Sequence, residues 1–359
     1  MKNITKKVVV LFSSLFLSVS AFAGELSVTG SANASYVVNG GSVNNNDKGL
    51  GISNELKFAA SGELDNGFTW DYFMELDGND GGAHDNDDSQ LKIGMGGMGT
   101  LYINDSEGGL STETGDGIGA VGVGSDFANT ADFVGNAVDV SGSGNIQYDA
   151  PADVLPFGLA VSLAYVPNNS DGDNNSYKNA GTENTAGADG DSTMAYRIKA
   201  APIDGLSIGA DYVTASGTTG TNAQTAESGG YYAAYQMGNF EVGYKERYHA
   251  PGFASKTTAN TAHSYILTGI GVEVAINDAL SISYSEEEST RKRYTATTNA
   301  AAGASPFTRD EVSFESTFLM LAYDIGGATV GITNVESSNS GYVSGADTTK
   351  TLATLSMAF

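Results

Sequence analysis

The sequence predicts an all-β chain: a closed, 16-stranded antiparallel barrel that crosses a membrane with its strands. Three observations carry that prediction. Apolar and polar residues alternate with a period of two along most of the chain, as in strands with one greasy and one wet face. The connections between these runs alternate, long then short, to the last strand. Beyond the N-terminus there is no apolar run of about 18 residues, so no helix is available to span a bilayer.

Residues 1–23 read as a secretory signal: Lys2, Lys6 and Lys7, then an apolar stretch over 8–19, then the small-residue cleavage pattern Ala21-Phe22-Ala23. The barrel domain is expected over 24–359. Its first strand, 26–39, sets Leu26, Val28, Ala32, Ala34, Tyr36 and Val38 on one face and Ser27, Thr29, Ser31, Asn33 and Ser35 on the other. Strands at 50–61, 67–77 and 89–96 follow, with Lys57 between Leu56 and Phe58 and Lys92 between Leu91 and Ile93. Next come 98–104, 143–149 and 157–166. Strand 192–201 carries Arg197 and Lys199 around Ile198. Strands 205–215, 228–237 and 239–249 are tyrosine-rich, and the third alternates Tyr244 with Lys245 and Arg247 with Tyr248. The same alternation gives 263–276, 279–287, 311–325, 327–336 and 348–359.

Short turns are expected at 62–66, Gly96-Gly97, 150–156, 202–204, Gly238-Asn239, Asn277-Asp278 and Gly326. Long polar connections are expected at 40–49, 78–88, 105–142, 167–191, 216–227, 250–262, 288–310 and 337–347. A sandwich has no reason to alternate in this way. A membrane barrel does, with short turns on the periplasmic side and long loops outside. Trp70, Tyr72, Tyr165, Tyr196, Tyr212, Tyr231, Tyr235 and Tyr244 share the outward parity, where interfacial girdles form.

Composition narrows the function. The formal charge is -25, moving to -28 when the signal's three lysines leave with no acid. Such a chain lacks the positive footprint that nucleic acid requires. Cysteine is absent, which excludes disulfides, thiolate nucleophiles and cysteine zinc sites. His84, His249 and His263 are the only histidines and are scattered, so no catalytic triad is supported. Gly117-Ile-Gly-Ala-Val-Gly122 has the spacing of a dinucleotide loop but not the strand-and-helix context. The chain is therefore read as no enzyme.

At the end, Leu355, Met357 and Phe359 share one face, and a final strand closing on phenylalanine resembles the outer-membrane assembly signal. In layout the whole mature chain resembles the Gram-negative general porins, most closely the alphaproteobacterial, Rhodobacter-type group. The best local segment is Ser89-Gln-Leu-Lys-Ile-Gly-Met-Gly-Gly-Met-Gly-Thr-Leu-Tyr-Ile-Asn-Asp105, a glycine-rich hairpin running into a long acidic third loop. The resemblance implies an outer-membrane homotrimer, each barrel with its own pore, whose third loop folds inward and narrows it.

That loop, 105–142, carries Glu107, Glu113, Asp116, Asp126 and Asp132 and no Lys or Arg. Its apolar residues Leu110, Ile118, Val121, Val123, Phe127, Phe133 and Val134 suit a lumen wall; the alternative is a solvated external loop. Lys57, Lys92, Arg197, Lys199, Lys245 and Arg247 all fall at inward parity, since a charge facing lipid at the midplane costs about 2–4 kcal/mol. They give either a wet lumen of mixed charge or a basic wall facing an acidic constriction loop. Asp77, Asp80, Asp85, Asp87 and Asp88 crowd the second loop, a solvated rim or a site for structural calcium. Lipopolysaccharide, outer-membrane lipid and the barrel assembly machinery are the expected partners, with Arg291-Lys292-Arg293 in the seventh loop either a contact for phosphates or simply solvated. The function expected is passive diffusion of ions and small hydrophilic solutes, with weak cation selectivity. The alternatives are a substrate-specific channel or a non-transport barrel such as an adhesin.

Overall fold

The structure, a computed structural model, describes residues 26–42, 47–78, 84–106, 110, 140, 144–151, 154–167, 192–216, 224–252, 262–296 and 307–359. The expected signal, 1–23, lies outside them. Sixteen strands form one sheet: β1 Ser27–Gly41, β2 Lys48–Glu63, β3 Thr69–Gly78, β4 His84–Gly94, β5 Thr100–Ser106 and β6 Asn145–Asp149. β7 Ala160–Val166, β8 Thr193–Ala200, β9 Leu206–Ala215, β10 Glu227–Met237 and β11 Phe240–Ala250 continue it. β12 Ala262–Asn277, β13 Leu280–Ala296, β14 Phe307–Asp324, β15 Ala328–Ser338 and β16 Thr348–Ala358 complete it. Each strand runs antiparallel to its chain neighbours, and β16 pairs with β1 to close the barrel. All sixteen expected strands are present. Closure leaves no unpaired edge in lipid, where each orphaned backbone group costs several kcal/mol.

The alternation becomes two surfaces. Outside are Leu50, Ile52, Ile103, Leu163, Ile198, Ile270, Leu319 and Ile332, all exposed. Tyr72, Tyr165, Tyr196, Tyr212, Tyr231, Tyr235 and Tyr244 share that face, as their parity requires. Inside, neighbouring positions such as Asn104, Ala195, Val213, Ser283 and Thr333 are buried.

Two long connections need correction. The second, expected at 78–88, is shorter, because β4 begins at His84 and pairs with β3 from there. Residues 288–310 were expected to form the seventh loop, but β13 continues to Ala296 and β14 begins at Phe307. Arg291-Lys292-Arg293 is therefore strand. Arg291 and Arg293 share the inward parity of buried Ser285 and Ser289. Lys292 takes the other face, opposite Glu311 in register. The wall is uneven as a result: β12 to β14 have 16, 17 and 18 residues, whereas β5 to β7 have 7, 5 and 7.

Candidate functional site: the lumen wall

Strand register decides which inward charges meet. Lys57 on β2 lies opposite Glu75 on β3; its Nζ is 3.2 Å from Glu75 Oε2 and 3.6 Å above the Phe73 ring. Lys92 on β4 pairs with Asp71 on β3 at 3.5 Å. Arg197 on β8 pairs with Asp211 on β9 at 3.3 Å. Arg247 falls in the same row, separated from Asp211 only by Gly230 of β10. Lys245 on β11 reaches over β12 to Glu287 on β13, at 2.6 Å, with both side chains about nine-tenths buried. Gly269 on β12 makes that reach possible, because a Cβ there would stand 2.9 Å from Lys245 Cε. Lys199 lies between Ala160 and Gly209. The six predicted cations thus line the wall, with Lys57, Lys92, Arg197 and Lys245 ion-paired within it. Glu241 and Glu273 add two inward carboxylates facing each other across β11 and β12.

The predicted acidic partners Glu107, Glu113, Asp116, Asp126 and Asp132 lie outside the described residues. Leu110 and Val140 of the same connection are described, and both are buried against the wall. Leu110 and Val140 form one apolar cluster with Ala164 and Val166 of β7, Ala195 of β8 and Val213 of β9. Arg197 and Asp211 share the parity of Ala195 and Val213, so this cluster is on the lumen side. A chain of amides fastens it. Gln90 Nε2 donates to Asn104 Oδ1, Asn104 Nδ2 to Asn145 Oδ1, and Asn145 Nδ2 to the Val140 carbonyl, each at 2.8 Å. Asn104 and Asn145 are 3% and 2% exposed. Buried amides are tolerated because each donor has its acceptor. Sequence reading missed both asparagines, which look like any inward polar residue.

The outer face shows where hydrocarbon stops. Tyr212, Tyr244 and Tyr284 donate their hydroxyls to Glu227, Glu246 and Glu286. A tyrosine ring with its polar tip on a carboxylate belongs at the lipid–water boundary. Glu288 and Glu315 lie opposite one another just beyond this line. Of the proposed calcium carboxylates, the side chains of Asp77, Asp80, Asp85 and Asp87 lie outside the described residues. Asp88 lies on β4, opposite Glu75.

At the C-terminus, Leu355, Met357 and Phe359 point outward and are exposed. Phe359 N donates to the Gly30 carbonyl at 2.9 Å, and Gly30 N to the Phe359 carbonyl at 2.7 Å.

The same architecture occurs in solved structures. The anion-selective porin of Comamonas acidovorans superposes with a TM-score of 0.65 at 9% identity, covering 94% of this chain and 100% of that one. A loop L8 deletion mutant of OmpT, an outer membrane protein of Vibrio cholerae, gives 0.61 at 13%, with the same coverage. A double mutant of the Rh. blastica porin gives 0.58 at 15%, covering 93% and 100%. At these identities the likeness is one of fold. No curated protein matches the sequence. The family model for Gram-negative porins matches residues 8–305, and with that match, on a closed sixteen-stranded barrel, the chain belongs to the Gram-negative porin family and is an outer-membrane porin.

Proposed function

We propose that the chain forms a water-filled pore for passive diffusion of ions and small hydrophilic solutes, with weak cation selectivity and no catalytic chemistry. The observation that carries this reading is the lumen wall, where charges pair sideways along the sheet and so leave a polar surface around a central path. No energy-coupling element is needed, since radius and charge rings set selectivity. The third loop is proposed to fold inward as the constriction. Leu110 near its start and Val140 near its end, both seated on the lumen face of β7 to β9, support this. The net negative charge supports cation preference.

A homotrimer is proposed by likeness to the trimer form of Vibrio cholerae OmpT. The face of β16, β1 and β2 suits that contact. Ala32, Ala34 and Ala353 are small there, and exposed Asn54 shares the face with Ile52. Lipid offers such an amide no hydrogen-bond partner; a second copy does. The outer carboxylates would meet lipopolysaccharide through divalent cations. Phe359 would be read by the barrel assembly machinery, and the Asp77–Asp88 region is kept as a calcium proposal on its sequence.

Planar-bilayer recording of the purified protein tests the proposal. Stable steps arriving in groups of three are expected. An electrically silent, folded protein would point instead to a non-transport barrel such as an adhesin.

A further inference from the structure

The connection between β15 and β16, residues 339–347, is built unlike an idle surface loop. Asn339, at φ 53°, donates from Nδ2 to the Ser313 carbonyl on β14 at 2.9 Å and accepts from Gly345 N at 3.0 Å. Ser42, just past the end of β1, exchanges hydrogen bonds with Asp347: its N–H donates to the Asp347 carbonyl at 2.8 Å, and its Oγ accepts from Asp347 N at 2.8 Å. The loop is thus tied to both sides of the wall.

Between these ties Tyr342 turns into the barrel. It is 5% exposed and packs with Tyr265 of β12 and Phe314 of β14, with ring centroids 5.5 and 6.0 Å away. Its hydroxyl meets Ser289 Oγ of β13. Arg291 Nη2 donates to its carbonyl at 3.1 Å, and the guanidinium carbon lies 4.9 Å from its ring centroid. Every one of these wall residues has inward parity. Tyr342 holds φ at 58°, a left-handed conformation that is strained for a bulky L-residue and persists only where surrounding contacts enforce it. The next inward pair, Arg293 with Asp310 at 2.7 Å, stands beside it.

We infer that this loop is a fixed ledge in the outer mouth of the channel. Tyr342 narrows the mouth and covers Arg291, so that one tyrosine helps set both conductance and charge preference. The device is separate from the third loop, and it rests on the reading of the chain as a pore. The ring lies over the guanidinium as a cation–π partner, which bars passing anions from direct contact with it.

Single-channel conductance and reversal potential in a KCl gradient, recorded on Tyr342→Ala, Tyr342→Phe, Arg291→Gln and the Tyr342→Ala/Arg291→Gln pair, test this. Tyr342→Ala should raise conductance and shift the reversal potential toward anions. The double variant should keep the raised conductance and lose the anion shift. Tyr342→Phe, which keeps the ring, should conduct as the parent does. Arg291→Gln alone should shift the reversal potential less than the same change does in the Tyr342→Ala background, because the ring already bars anions from contact. A folded Tyr342→Ala channel with parental conductance and selectivity overturns the inference. If that variant does not fold, parental conductance and selectivity in a folded Tyr342→Leu channel overturn it. Silence of every channel, parent included, would instead sink the pore reading.

Discussion

Gly30 and Phe359 close the barrel between them: each donates its N–H to the other's carbonyl, and the Phe359 ring occupies the space in which any other residue at 30 would place its Cβ. The seam between the first strand and the last is therefore both a backbone pair and a ring laid on a glycine.

Gly30→Ala tests that packing. The added Cβ would sit 2.7 Å from Phe359 Cε2 and 2.9 Å from the Glu55 carbonyl. Forced overpacking of this kind costs about 1–3 kcal/mol. The variant's heat-modified gel transition should fall below the parent's. Ala32→Gly, one outward step along β1, serves as the control for strand propensity.

The ion pairs of the wall should differ in worth. Lys245 and Glu287 are nearly buried, whereas Lys92 and Asp71 are 40% and 51% exposed. Removing one partner of a buried pair costs about 3–5 kcal/mol because its charge is left stranded. An exposed pair contributes about 0–1 kcal/mol. Lys245→Met should thus lower denaturant resistance clearly and Lys92→Met hardly at all. Equal losses would mean that water reaches Glu287 freely.

Selectivity follows from the same pairs. Replacing Lys57 and Lys92 with glutamine leaves Glu75 and Asp71 without their cations. Reversal potentials in a KCl gradient should move toward stronger cation preference. The effect should fade with salt as the Debye length shrinks from about 8 Å to about 3 Å at 1 M. An unchanged potential would show that these pairs stand away from the narrow zone.

The amide chain offers a handle on the third loop. Asn145→Leu removes the donor to Val140 and leaves Asn104 Nδ2 without its acceptor. Such unsatisfied buried groups cost about 1–3 kcal/mol each. If the loop lines the pore, open-channel noise should rise and the closing voltage should drop while the barrel stays folded. Quiet, parental channels would place the loop elsewhere.

Most of this architecture is legible in the sequence because lipid enforces it. Lys57 between Leu56 and Phe58 can face only one way, and the structure has it inward. The reading failed where lipid stops. From Glu286 to Arg293 both faces of β13 are wet, one by the lumen and one by the aqueous boundary above the tyrosines. Alternation vanishes there, and a strand looks like a loop. Pairings such as Lys245 with Glu287 were invisible for a different reason. They depend on register and on Gly269 between them, which spacing along one strand does not reveal. Tyr342 was missed because a single aromatic in a polar connection carries no periodic signal.

The meander has a consequence for how such a chain is made and remade. Apart from the seam, every strand lies beside its neighbour in sequence, so each hairpin can form from local contacts, and one late closure carries the long-range entropy cost. The hairpin is then the natural unit of change: a copy gained or lost between two short turns leaves all other pairings intact, and the circumference shifts by two strands as diameter scales with strand number.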